Sequence, residues 1–312
     1  MSDKKILSAS RISTLQKCSW SYWCNYHLKI PQTKNDGQVR GTVCHLIFEC
    51  LLNKRHRHHF DKIMEVGNLS ESSAILRLIE KGLKREGFYS EENFDLCCKM
   101  IFVGLNLDFF GDTKLDPLPE EKFLLEENKP EYKIMGFIDK VIRNPEKKTI
   151  KIVDYKTSKR KFKGEELTSN LQAMAYTLAA KRLWPEYDDV TIEFQFIKFP
   201  RQPIQQIKVT QKQLDGFEHY MEYIYGIIND FSEEKAMSNY ALDGDDSWLC
   251  KAGKTWRCPY LDRKEYYVLL DKSDTILKSS FENDFNPKKN ERVEKRVYSG
   301  CPAHKQEDDF GF

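Results

Sequence analysis

The sequence has no apolar run approaching the ~20 residues needed to span a bilayer, which argues against a membrane protein. Its first residues, MSDKKILSAS, carry neither a long apolar stretch nor a cleavage-like site, so no secretory leader is expected. A cytoplasmic location follows, or the host-cell cytoplasm if the chain is viral, and structural disulfides are not expected there. A charge excess of either sign is also missing: 50 Lys and Arg stand against 48 Asp and Glu, for a net charge of +2. That balance neither demands nor excludes nucleic acid, because local basic patches can accompany an acidic site. No internal repeat and no low-complexity tract interrupts the chain. What is present reads as a soluble globular protein, 40% hydrophobic and 31% charged over 312 residues. That length suffices for one large domain or two small ones and buries most of its apolar surface without staples.

Ser10–Cys24 (SRISTLQKCSWSYWC) opens like a capped helix, and residues 29–40, with Pro31 and Gly37, read as a loop. Gly41–Asn53 has the helical spacing of Val43, Ile47 and Leu51 beside Cys44, Phe48 and Leu52. Ser72–Glu86 and Glu91–Phe110 also read as helices. After the proline-bearing stretch 112–130 the period changes. Residues 131–142 and Thr149–Tyr155 alternate as half-buried strands do, with Asn144–Lys148 as a hairpin turn. Leu167–Leu183 returns to helix, Val190–Phe199 and Pro203–Val209 read as strands, and Gln213–Phe231 as a long helix.

Asp139 ends the first strand-like run, and Asp154 lies near the end of the next. In an extended strand residues i and i+2 face the same side, so Asp154 and Lys156 point together while Tyr155 faces away. Pairing through the Asn144–Lys148 turn would set Asp139 opposite Asp154. Two carboxylates and an ammonium group suit phosphodiester cleavage. Hard oxygens bind Mg²⁺ or Mn²⁺, the metal polarises the phosphoryl oxygen and acidifies a bound water, and the lysine orients it or stabilises charge. The alternative is an exposed strand pair with solvated charges. Three features weigh against it. His45 shares a helix face with Glu49, Gln172 shares one with Tyr176, and the cations Lys156, Lys159, Arg160, Lys161 and Lys163 crowd one segment. Each alone is more often an ordinary packed or solvated residue.

Taken in order, SASRISTLQKC, GTVCH, GFIDKV, IVDYKTSK and NLQAMAY, spanning about residues 8–180, resemble the RecB-like branch of the PD-(D/E)XK nuclease superfamily. The resemblance implies an α/β fold with a central mixed β-sheet flanked by helices, a restriction-endonuclease-like core, and a cysteine-bearing C-terminal extension. It assigns catalysis to Lys156, Asp139 and Asp154. It assigns metal ligation to His45, Asp139, Asp154 and the Tyr155 carbonyl, and nucleic-acid contact to Gln172 and Tyr176, to which the basic run adds Lys159 and Arg160. Glu126 is a candidate for an outer shell or a second metal, and Glu49 for the outer shell. The implied activity is that of a Mg²⁺- or Mn²⁺-dependent deoxyribonuclease, an exonuclease more than an endonuclease, acting on single strands or ends. Its setting would be recombination, DNA repair or replication, as for relatives from phages and CRISPR adaptation. A non-catalytic DNA-binding or assembly module with this fold, or a cluster scaffold serving a helicase, stands as the alternative.

Relatives in this branch often carry an iron–sulfur cluster, with one cysteine near the N-terminus and three near the C-terminus. Cys18, Cys250, Cys258 and Cys301 offer that arrangement for a 4Fe-4S cluster, with zinc as the alternative. Cys24 competes as the early ligand, and the late cysteines are spaced eight and 43 residues apart rather than in the family's compact triplet. Cys44, Cys50, Cys97 and Cys98 sit in helical patterns as core residues. His56–His59 (HRHH) reads as an exposed helix end rather than a metal site. The organisation expected is a nuclease core over 1–245, a cysteine-bearing segment over 246–305 folding back on the N-terminus, and an acidic-aromatic tail over 306–312. That tail resembles peptides that dock on a sliding clamp, although an unstructured tail is the plainer reading. DNA, and a helicase, recombination or sliding-clamp protein, are the implied partners.

Overall fold

The computed structural model describes residues 5–126, 132–238, 250 and 257–304. Its elements run β1 (Lys5–Leu7), α1 (Ala9–Lys17), α2 (Ser19–Tyr22), α3 (Asp36–Leu52), α4 (Arg57–Val66), α5 (Ser73–Arg85), α6 (Glu91–Leu105), β2 (Leu118–Glu126), β3 (Tyr132–Asn144), β4 (Thr149–Lys156), α7 (Glu165–Thr168), α8 (Leu171–Leu183), β5 (Asp189–Phe196), β6 (Ile204–Ile207), α9 (Gln211–Asn229), α10 (Glu233–Ala236), β7 (Lys264–Leu270), β8 (Ile276–Ser280) and β9 (Arg292–Tyr298). They fall into two units, Met1–Ala9 with Lys34–Tyr223, and Ser10–Thr33 with Ile224–Phe312.

The first unit is built on a mixed six-stranded sheet of order β1-β3-β4-β5-β6, with β2 also paired to β3. β1 runs parallel to β3 and β4 parallel to β5, while β2, β3 and β4 form an antiparallel ladder. Alternation explains the central hairpin: Ile150 and Ile152 are buried on β4, and Ile138 and Ile142 on β3. Its register pairs Lys140 with Val153, so Asp139 and Asp154 occupy the next positions on the two strands. Helices flank the sheet. α3, α5 and α6 share a core with it through Ile47, Phe48, Ile79, Ile101 and Val153, and Phe48 stacks on the Tyr155 ring at 4.1 Å. From α8, Tyr176 meets Phe123 of β2 edge-on. Lys140, fully buried, donates to the Phe109 carbonyl at 3.0 Å, and burial pushes its pKa down to about 7 against the pull of Glu193.

Among the elements that differ from the sequence expectation, three have a clear local cause. α3 begins at Asp36 rather than Gly41, because Asn35 and Gln38 form a reciprocal capping box that carries the helix through Gly37. β2 lies in the stretch 112–130, where Pro117 and Pro119 mask a short alternation with Phe123 and Leu125 buried. The helix expected over Ser10–Cys24 breaks at Cys18, whose backbone is extended (φ −161°, ψ 115°) between α1 and α2.

The second unit holds an antiparallel sheet of order β8-β7-β9, within the stretch expected from the sequence only as a cysteine-bearing segment. Its core gathers Trp20, Cys24, Ile30, Tyr260, Tyr266 and Val268. Trp20 Nε1 donates to Tyr298 Oη, which donates to the Tyr260 carbonyl, each at 2.8 Å. The expected tail over 306–312 lies outside the described residues.

Candidate active site

Four elements of the first unit converge on one cluster. From α3, His45 places Nδ1 3.0 Å from Asp139 Oδ1 and Nε2 3.0 Å from the Tyr155 carbonyl oxygen. Asp139, on β3, accepts the Tyr155 backbone N–H on Oδ2 at 2.8 Å, which fixes the β3–β4 crossing. Asp154, on β4, is 3% exposed, and its Oδ1 accepts Gln172 Nε2 at 2.7 Å and lies 3.1 Å from Tyr176 Oη. Lys156 Nζ stands 2.7 Å from Asp154 Oδ2 and donates to Gln172 Oε1 at 2.7 Å. Gln172 also donates to Tyr176 Oη at 2.6 Å, and Tyr176 donates to the Phe137 carbonyl at 2.6 Å. Asn170 caps the start of α8 by accepting the Ala173 N–H, and so aims the Gln172–Tyr176 face at the carboxylates.

The electrostatics follow from this packing. Burial pushes the Asp154 carboxyl above its usual range and Asp139 adds to the rise, while Lys156 opposes it. Burial pushes the His45 imidazole down, but the hydrogen bond and charge of Asp139, the charge of Asp154 and the Tyr155 carbonyl outweigh it and leave the ring more basic than usual. Asp154 Oδ2 is buried with no aligned hydrogen-bond donor, because the Lys156 ammonium meets it as an ion pair off the hydrogen-bond axis.

His45, Asp139, Asp154, Tyr155, Lys156, Gln172 and Tyr176 are thus brought together. Other candidates are not. Arg160 is exposed and held in a two-pronged ion pair with Glu166, both contacts at 2.6 Å. Lys159 is exposed in the loop after β4. Glu126 pairs with Lys133, six residues before Asp139 on β3 and so roughly 20 Å along the strand. Glu49 lies one turn beyond His45, and burial and then Glu120 push its carboxyl up. Glu120 was not singled out from the sequence. It sits on β2 between Pro119 and Glu121, the partners of Lys140 and Ile138, and therefore across from Asp139. Only the β2–β3 register, invisible in the sequence, could have found it.

In the second unit, Cys18, Cys250, Cys258 and Cys301 line one cavity of about 20 Å³ with Trp20 and Tyr260, whereas Cys24 is not on its wall. Burial pushes the thiols of Cys258 and Cys301 up to about 11 and that of Cys24 up to about 12. Cys44 and Cys97 are fully buried on α3 and α6, with Cys50 and Cys98 half-buried beside them. Among the described residues no three His, Cys, Asp or Glu side chains are disposed to hold a single metal ion. The HRHH segment spans a 3₁₀ turn and the start of α4, and His59 Nδ1 pairs with Ser72 Oγ at 2.9 Å.

Residues 6–263, most of the chain, match the PD-(D/E)XK nuclease superfamily, and the protein belongs to it. Several solved structures are similar, including the following two. One, described as "Putative exonuclease" from Eubacterium rectale, is 15% identical with a TM-score of 0.44, covering 71% of this chain and 79% of its own. The other, the protein SSO0001, is also 15% identical with a TM-score of 0.27, covering 75% of this chain and 95% of its own. No curated protein matches the chain.

Proposed function

We propose that the protein is a divalent-metal-dependent deoxyribonuclease, an exonuclease acting on single strands or DNA ends, with its active site at Asp139, Asp154 and Lys156. One observation carries this reading. Two carboxylates, an imidazole nitrogen and the Tyr155 carbonyl meet around a lysine held by both Asp154 and Gln172. By type the donors suit a hard cation such as Mg²⁺ or Mn²⁺, while as they stand they hydrogen-bond one another rather than converge on one point. The buried Asp154 Oδ2 bears on the fit within the structure: it makes no aligned hydrogen bond and is met by the Lys156 ammonium as an ion pair, which leaves it able to take a further positive partner. Asp139, Asp154, the Tyr155 carbonyl and His45 would hold it, and His45 must give up its hydrogen bond to Asp139 to do so. Bound there, such a cation supplies Lewis-acid polarisation of a phosphoryl oxygen and acidifies a water.

The chain's own groups do the rest. Lys156 presents a fixed ammonium to the attacking oxygen and to the charge that builds on the phosphoryl group. Gln172 holds that ammonium by its carbonyl and Asp154 by its amide, so donor and acceptor keep one spacing. Tyr176 anchors the far side of Asp154 to β3. A work-up with end-labelled linear DNA and closed circular DNA tests the exonuclease reading. Stepwise loss of linear strands with circles spared supports it, and nicking of circles contradicts it.

We also infer that Cys18, Cys250, Cys258 and Cys301 hold an iron–sulfur cluster in the second unit. Four thiols line a single small cavity, and four is the ligand number of a 4Fe-4S cluster. The raised pKa values of Cys258 and Cys301 mean that ligation there must displace protons. Anaerobically purified protein should contain iron and acid-labile sulfide and absorb in the visible. Stoichiometric zinc without iron would replace the cluster with a zinc site.

A further inference from the structure

We propose that Phe137 is a stacking platform for an unpaired nucleobase adjoining the phosphate attacked at the Asp139–Asp154–Lys156 site, an inference that rests on the nuclease reading above. Phe137 is 47% exposed in the middle of β3, whereas its strand neighbours Ile138 and Lys140 are fully buried. Alternation therefore sets its ring on the same side of the strand as Asp139, roughly 7 Å away, the scale of one nucleotide. A phenylalanine at a strand centre normally gains by burying its ring, and this one does not.

The ring is fixed relative to the site. The Phe137 carbonyl accepts Tyr176 Oη at 2.6 Å, and the same hydroxyl stands 3.1 Å from Asp154 Oδ1. One hydrogen-bond chain thus ties the backbone beneath the ring to the carboxylate beside the lysine. Across the ladder, Lys122 is paired with Phe137 and holds Nζ 5.9 Å from the ring centroid. Leu124, 41% exposed, follows two residues along β2. A flat apolar face, a cation at its edge and a phosphodiester-cleaving site one strand step away complement a polynucleotide strand, which alternates flat bases with anionic phosphates. A base inside a duplex has both faces covered by its neighbours, so the occupant is a single strand or a duplex end.

The test uses the full chain in EDTA, so that no cleavage is needed, with single-stranded oligonucleotides carrying 2-aminopurine. Binding to the wild-type protein should quench the probe. Phe137→Ala should weaken binding roughly 5- to 150-fold and abolish the quench, while Phe137→Trp keeps both. Thermal unfolding of Phe137→Ala should stay cooperative and close to wild type, because the ring is about half exposed. With metal present, Phe137→Ala should raise KM with kcat little changed. Unchanged affinity and quench in Phe137→Ala would overturn the platform and leave the nuclease reading standing. A quench that depends on Phe137 in a protein that cleaves nothing would keep the platform and remove the nuclease. No quench in the wild type, or a change in self-association on Phe137→Ala by sedimentation with binding unaltered, would make the patch a contact of another kind and overturn the proposal.

Discussion

Lys156 is held between two polar groups, Asp154 Oδ2 on one side and Gln172 Oε1 on the other, each at 2.7 Å. Removing its ammonium takes away a preorganised donor at the reacting oxygen. Lys156→Ala should lower the single-turnover cleavage rate by roughly 10²–10³-fold or more, with DNA affinity measured by anisotropy changed only slightly. Gln172 acts through its neighbours. Gln172→Ala frees both Lys156 and Asp154, and a 10- to 100-fold loss of activity or Mn²⁺ affinity is expected, partly restored in Gln172→Glu, which keeps the acceptor for Lys156. Full activity in Gln172→Ala would remove it from the site. At this scale the sequence was informative, because Asp139, Asp154, Lys156, Gln172 and Tyr176 obey strand and helix periodicities that local residues impose. It was silent on Glu120, which is placed by strand register, and it could not tell that Arg160 is occupied by Glu166.

Helix α3 decides how His45 meets the hairpin. Its capping box at Asn35 satisfies the first N–H groups, and Asn35→Ala should cost about 1 kcal/mol of stability by denaturant unfolding. One turn in, a Cβ on Gly41 would stand 2.9 Å from Thr157 Oγ1, directly after Lys156. Gly41→Ala should therefore lower activity more than stability. Farther along, Glu49 faces Glu120 of β2. Burial and like charge raise its folded-state pKa above the unfolded value, so the folded state holds its proton more tightly and stability is lost as pH rises through that range. Glu49→Gln removes the repulsion. The variant should be more stable than wild type at pH 7 by about 0.2–1 kcal/mol, the range for an exposed pair, with the difference vanishing below the ordinary glutamate pKa. A difference that grew on acidification would reverse the account. Among the elements, α3, α5, β3, β4 and α8 were legible because long apolar periods mark them. α4 and β2 were not, since α4 buries only Ile63 and β2 alternates over a few residues beside two prolines.

Over the whole molecule, residues from both sides of the nuclease core in sequence, Ser10–Thr33 and Ile224 onward, make the cysteine-bearing unit. Its assembly was the least legible part, because Cys18 and Cys301 become neighbours only through tertiary packing around Trp20 and Tyr298. Cys258→Ser should abolish visible absorbance and lower the melting temperature. An unaltered spectrum would exclude Cys258 as a ligand. The central claim, however, concerns the first unit, and single-turnover cleavage of labelled single-stranded DNA tests it most directly, with wild type and Lys156→Ala purified in parallel and assayed in Mg²⁺, Mn²⁺ or EDTA. The account predicts cleavage by wild type in metal, none in EDTA, and a loss of at least two orders of magnitude in the variant. Equal cleavage by both proteins, or cleavage undiminished by EDTA, would contradict it.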